Sequence, residues 1–185
     1  ISHQLLDYAS GVYSETEVEI ELSQILENFQ SCLNFLSIND IEIEYQILTR
    51  TPLFIGDPYQ ICRILIILVQ NAVDALSATG RTDSITVSVG KETIKTSVIR
   101  SIVRGEVLRA GSYVYIDVQD RGEGILPDQI SRIFDPFYST RGLGRGLGLS
   151  ILLGILKKYQ GSVEIQSEEG KGTRIRVFFP LKKTS

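Results

Sequence analysis

The chain is poor in the features that mark special classes of protein. Two cysteines stand in 185 residues, Cys32 and Cys62. They lie far apart without metal-ligand spacing, so a disulfide framework is not indicated, and both are expected to pack as small hydrophobes in a reducing cytosol. No charge of one sign dominates: 19 Lys and Arg against 22 Asp and Glu leave a net charge of −3. That excludes a general nucleic-acid or membrane surface, and no nucleic-acid partner is expected. The longest strongly apolar run, Ile64 to Val69, is far too short to span a bilayer, and no signal-peptide pattern opens the chain. Methionine is absent, even at position 1. The chain is therefore expected to be a piece of a longer cytoplasmic region, whose parent membrane attachment is left open. What remains is an ordinary globular composition, 43% hydrophobic and 22% charged, long enough for one domain with a real core.

Periodicity supplies the elements. Ile1, Leu5, Tyr8 and Val12 recur at helical spacing, so residues 1–16 are expected to be the end of a preceding helical module, with the main domain at 17–185. A short extended stretch is followed by a helix from about Leu22, and IEIEYQIL alternates apolar and polar residues as a half-buried strand does. LFIG is a second short strand. Asp57-Pro58 is a helix start, with a carboxylate to cap free N–H groups and a proline suited to the first helical position; the helix is expected to reach about Ser77. Strand-like SITVSVG, TIKTSVIRSIV and SYVYIDVQD follow, with a hairpin or ribbon between Gly90 and Gly111. A short helix begins at Pro127, another spans about Leu147 to Tyr159, and SVEIQS and TRIRVFF are strands joined by the turn EEGKG. Hairpins mixed with long helices predict an α+β layer, a mixed sheet with helices packed on one face.

Four polar or glycine-rich stretches stand out: Gln70-Asn71-Ala72 within an apolar helix, DRGEGI at 120–125, RGLGRGLGLS at 141–150 and GKGT at 170–173. A buried amide such as Asn71 costs a few kcal/mol unless satisfied. A carboxylate at a strand end followed by two glycines lets a ligand approach the backbone, and equally makes a hairpin turn. Four alternating glycines suit a mobile lid, a cradle for phosphate at a helix start, or a flexible linker.

In this order and spacing the four stretches resemble the ATP-binding motifs of the histidine kinase, gyrase, MutL and chaperone ATPase superfamily. Within it, IFDPFYSTRGLGRGLGLSILLGILKKYQGSVEIQSEEGKGTRIRVFFP is similar to the phenylalanine box, ATP lid, glycine box and last strands of the catalytic domain of bacterial two-component sensor histidine kinases. The resemblance implies a two-layer α/β sandwich of the Bergerat type that binds ATP and Mg²⁺. It implies that Asp120 accepts a hydrogen bond from the adenine amino group and that Gly122, Gly124 and Ile125 let adenine and sugar lie close to the chain. Asn71 is the implied Mg²⁺ ligand and catalytic residue, and Asp74 stands where a basic residue is often found three positions later. Phe134 and Phe137 are implied to pack beneath the lid, with plain core aromatics as the other reading. Arg141, Gly142, Gly144, Arg145, Gly146, Leu147, Gly148 and Leu149 are implied to hold the triphosphate, and Thr173 to support the adenine pocket.

The implied chemistry is transfer of the γ-phosphate to a histidine on the dimerisation domain of the same protein, then to a response regulator receiver domain, in a homodimeric parent. His3, the one histidine, lacks the acidic residue and later proline of the family's acceptor, so the acceptor is expected to lie outside the chain and the fragment alone to be monomeric. One turn before Asn71, where relatives carry a polar residue, stands Ile67. It offers neither base nor metal ligand, which argues against a hydrolase. It also keeps open a second reading, a degenerate regulatory module that binds nucleotide or a partner without phosphotransfer.

Overall fold

Alternating apolar residues build a sheet with one face given over to helices. The computed structural model describes residues 17–33, 41–80, 83–95, 108–139 and 146–181. In chain order the elements are β1 (Val18–Ile20), α1 (Leu22–Leu33), β2 (Ile43–Ile47), β3 (Phe54–Gly56), α2 (Pro58–Ser77), β4 (Ile85–Ile94), β5 (Gly111–Gln119), α3 (Pro127–Ile130), α4 (Gly148–Lys158), β6 (Ser162–Glu168) and β7 (Gly172–Pro180). Five strands form one mixed sheet in the order β2-β4-β5-β7-β6. β2 runs parallel to β4 and the remaining pairs are antiparallel. β1 and β3 pair in a separate two-stranded ribbon.

The register sends Val87, Val89, Val114, Ile116, Ile175 and Val177 to the helical face, where they share one core with α1, α2 and α4. Because side chains alternate across a strand, the opposite face receives Tyr113, Tyr115 and Asp117 from β5 and Arg174, Arg176 and Phe178 from β7. Asp117 is buried there between two guanidinium groups, with Arg174 Nε at 3.0 Å and Arg176 Nε at 2.8 Å. Hydrogen bonding to Asp117 raises the Arg174 pKa further above its usual value. Arg176 also lies 4.3 Å over the Tyr115 ring.

α2 is the spine of the helical layer. Asp57 caps it, its Oδ1 accepting from Tyr59 N at 2.9 Å, with Pro58 in the first turn. It is long and apolar enough by composition to cross a membrane, although no single apolar run in it is. Nine of its residues are buried against the sheet and its neighbours, as in a core helix. The Tyr159 hydroxyl accepts from Asp57 N at 3.0 Å, tying the end of α4 to the start of α2. At the start of α1, Ser23 N donates to Thr51 Oγ1 and Thr51 N returns a bond to Ser23 Oγ.

The α+β architecture and the helix and strand positions match the expectation from periodicity. The first part of TIKTSVIRSIV belongs to β4, which pairs with β5 as far as Ile94 and Gly111. The rest of that stretch, and residues 1–16 with His3, lie outside the described residues.

Removing the cap with Asp57→Ala is expected to lower stability by about 1–2 kcal/mol, read by urea unfolding with an unchanged denaturant slope. A second prediction concerns Tyr45, whose hydroxyl is buried without a partner among the described residues. Burial pushes its phenol up to about 12. The neutral form is favoured by folding, so the contribution is intact below pH ~10 and is lost as pH rises from there through 12. Tyr45→Phe is expected to gain about 1 kcal/mol at pH 7 and to flatten the alkaline decline, measured by unfolding at pH 8 and pH 11.

Candidate nucleotide site

Asn71 and Asp74 sit three residues apart in the second half of α2 and share a face. That face, the end of β5, the loop after it and the start of β7 enclose a cavity of about 370 Å³, in the range of small-molecule sites. The wall combines apolar Leu68, Val118 and Ile175 with polar Asn71, Asp120 and Thr173.

Asp120 is the best-anchored polar group in it. The residue is 7% exposed, and its Oδ1 accepts from Gly122 N at 2.8 Å and from Thr173 N at 3.2 Å. Its own N–H donates to the Thr173 carbonyl at 2.9 Å. These bonds orient the carboxylate at the cavity wall.

The glycines of DRGEGI prove to be needed by the protein's own packing. A Cβ on Gly122 would lie 2.6 Å from the Ala75 carbonyl carbon at the end of α2. One on Gly124, whose φ is +71°, would collide with the Glu168 carbonyl oxygen in the β6–β7 turn. Close approach lets Glu123 N donate to Ala75 O at 3.3 Å and Gly170 N donate to Glu123 O at 2.7 Å. Gly124 and Ile125 line the cavity; Gly122 packs against the end of α2 beside it.

Four carboxylates line the cavity, from Asp74, Asp120, Glu123 and Glu169, and no Lys or Arg does among the described residues. Asp74 accepts from Gln70 Nε2 at 2.9 Å. The Asn71 amide nitrogen is buried without a partner among the described residues. A hard cation is met by the amide oxygen rather than by that nitrogen. One turn earlier Ile67 packs on the start of α4, so closely that a Cβ on Gly148 would stand 3.2 Å from its Cγ2. Ile67 is absent from the wall.

Of the glycine-rich stretch, Gly146, Gly148 and Leu149 line the cavity, whereas Arg141, Gly142, Gly144 and Arg145 lie outside the described residues. α4 begins at Leu147 with no side-chain cap on its first N–H groups. Leu147 itself is 43% exposed and off the wall. The two phenylalanines divide. Phe134 is buried in the main core, as the plain core reading had it. Phe137 is 77% exposed with φ 66°; the lid residues 141–145, beneath which it is expected to pack, lie outside the described residues. Its exposure follows from backbone geometry: Phe137 N donates to Gly146 O at 3.1 Å, and the left-handed turn carries the ring outward. Neither ring lines the cavity.

Motif reading missed Glu123 and Glu169, which lie between the glycines and other marked residues of DRGEGI and EEGKG, and Ser167. Counting outward from the EEGKG turn finds the last, because Ser167 pairs directly with Thr173 across β6 and β7.

Comparison with known proteins adds identity to this geometry. The profile of the histidine kinase-, DNA gyrase B-, and HSP90-like ATPase family matches residues 56–183. Sporulation kinase C of Bacillus subtilis is 32% identical over 167 residues, 89% of this chain and 34% of that protein. The chain spans about a third or less of the length of the curated relatives it matches. Among solved structures, the mycobacterial sensor histidine kinase MprB superposes with a TM-score of 0.63 at 20% identity, covering 89% of this chain and 97% of that one. Full-length ShkA in complex with AMPPNP gives 0.68 at 22%, covering 96% and 34%.

Two left-handed glycines are expected to respond differently to alanine. At Gly170, with φ +75° and no neighbour within 4 Å, the change strains the backbone alone and lowers stability by about 1–2 kcal/mol. At Gly124 the collision with Glu168 adds to the same strain, and the loss is expected to exceed about 3 kcal/mol. Chemical unfolding of the two variants measures the difference.

Proposed function

The chain belongs to the histidine kinase-, DNA gyrase B- and HSP90-like ATPase family, and from that premise we propose that it binds ATP with Mg²⁺ in the cavity between α2, β5 and β7 and donates the γ-phosphoryl group to a histidine on a separate dimerisation helix. The observation that carries the reading is the joint presence, on one cavity wall, of a carboxylate held by two backbone N–H groups and the side-chain amide of Asn71, whose oxygen is the atom that suits a cation. The first suits a ligand amine; the second suits a metal ion.

Asp120 and Thr173 hold the base, and Val118, Ile125 and Ile175 supply apolar surface for it. Asn71 is the residue that would hold Mg²⁺. When bound, the ion neutralises phosphate charge, and this wall of four carboxylates requires that of any polyphosphate it accepts. The uncapped start of α4 beside Gly148 offers N–H groups and the positive end of a helix dipole to the phosphates. Transfer breaks the bond from the γ-phosphorus to the bridging oxygen, forms a nitrogen–phosphorus bond on the acceptor imidazole, and leaves ADP. Because Ile67 supplies no base toward water, transfer is favoured over hydrolysis. The partners this reading implies are the histidine-bearing dimerisation domain of the same protein and a response regulator receiver domain, in the cytoplasm.

Ile67 also favours the second reading, a nucleotide-binding regulatory module without phosphotransfer. Incubation with γ-labelled ATP and a separately expressed histidine-bearing helical pair distinguishes the two. Acid-labile label on the histidine supports transfer; bound nucleotide with an unlabelled histidine supports the regulatory module. Chelating Mg²⁺ is expected to weaken ATP binding about ten-fold or more, since like charges brought together cost several kcal/mol. Asn71→Ala is expected to show that weaker binding already in Mg²⁺, with little further response to chelator in calorimetry.

A further inference from the structure

Ser167 lies behind the cavity wall, yet its hydroxyl joins two parts of it. It receives the Ile125 N–H at 2.8 Å, stands 3.1 Å from the Gly172 carbonyl oxygen and 2.9 Å from Thr173 Oγ1. Ile125 and Thr173 are both wall residues.

A serine hydroxyl has one proton and two lone pairs, and the three contacts use all of them in one way. Ile125 N–H occupies one lone pair. The Gly172 carbonyl has no proton to give, so the serine proton goes there. The second lone pair must then receive the Thr173 hydroxyl proton. With its proton committed to Ser167, Thr173 Oγ1 has only lone pairs left for the cavity. Beside it stands Asp120, bonded to the Thr173 N–H, and an ionised carboxylate likewise only accepts.

We propose that Ser167 is a positioning residue that turns Thr173 into a pure acceptor, so that the base pocket selects a purine with an amine at its six-position over one with an oxo group there. This rests on the nucleotide reading given above and adds to it the origin of base selectivity. A six-amino group donates to both acceptors in reach, whereas a six-oxo group meets lone pairs at that position and its base has only the single N1–H to offer in return. An unconstrained Thr173 hydroxyl would rotate and donate to the oxo group, and the distinction would shrink.

The test is calorimetric titration of Mg-ADP and Mg-inosine diphosphate, which differ at the six-position and in the proton on N1, into wild type, Ser167→Ala, Ser167→Thr and Thr173→Val. The quantity read is the ratio of the two dissociation constants. Ser167→Ala is expected to narrow the ratio about five- to ten-fold, the worth of one hydrogen bond, and Ser167→Thr to restore it. Thr173→Val leaves the bonds from Ser167 to Ile125 and Gly172 in place and is expected to narrow the ratio as well. Adding Ser167→Ala to it is expected to change the ratio no further. Equal weakening of both nucleotides by Ser167→Ala, with the ratio unmoved, would show a structural role alone and overturn the proposal. If wild type binds neither nucleotide, the ATP-site reading itself fails and takes this inference with it; binding with an unmoved ratio sinks the inference alone.

Discussion

Around Asp120 three stretches of backbone approach one another with no side chain between them: the end of α2 at Ala75, the loop after β5, and the β6–β7 turn. Gly122, Gly124 and Gly172 make the approach possible, since a Cβ at any of the three would overlap neighbouring backbone. Hydrogen bonds from Glu123 to Ala75, Gly170 to Glu123 and Asp120 to Thr173 then close the junction. Every other feature of the site is built on this joint. It sets the direction of the Asp120 carboxylate, fixes Thr173 beside it, and brings Asn71 on α2 to the same cavity as β5 and β7. Filling it with side chains would separate the helix from the sheet and divide the cavity.

Electrostatics and packing divide the rest of the work. Acidic residues from α2, the loop after β5 and the β6–β7 turn give the described part of the wall negative character, which a cation accompanying an anionic ligand would offset. The start of α4 supplies the opposing polarity through its uncapped N–H groups. Ile67 holds that start in place by contact with Gly148. The same side chain thus packs on the start of α4 and leaves no polar group at the position one turn before Asn71. Anchorage at the other end of α4 comes from Tyr159, whose ring also meets Phe179 edge-on at 6.1 Å.

Most of the architecture was legible in the sequence because each element has a strong local cause. The Asp57-Pro58 cap, the two-residue alternation of β2, β4 and β5, and the EEGKG turn each follow from neighbours in the chain. The pairing of β1 with β3 in a ribbon of their own has no local cause and was not legible. Site residues were legible where the motif demands a particular side chain, as at Asn71, Asp120 and Thr173. They were less legible where backbone geometry decides. Gly122 serves helix packing, and Phe137 is turned outward by a left-handed φ that its sequence does not announce. Glu123 and Glu169 were missed because their charge matters in sum with Asp74 and Asp120, and that sum exists only when the three segments converge. Ser167 was missed because its role is a cross-strand contact.

The central claim is that the cavity anchored by Asp120 is a nucleotide site. Calorimetric titration of Mg-ATP into the wild-type domain and into Asp120→Ala, with both shown to be folded by far-UV circular dichroism, tests it most directly. The account predicts saturable one-to-one binding to wild type and a loss of about a hundred-fold or more in the variant, because the ligand amine loses a charged acceptor and the Gly122 and Thr173 amides lose theirs. Equal affinity in the two proteins, or no binding to a folded wild type, would contradict it.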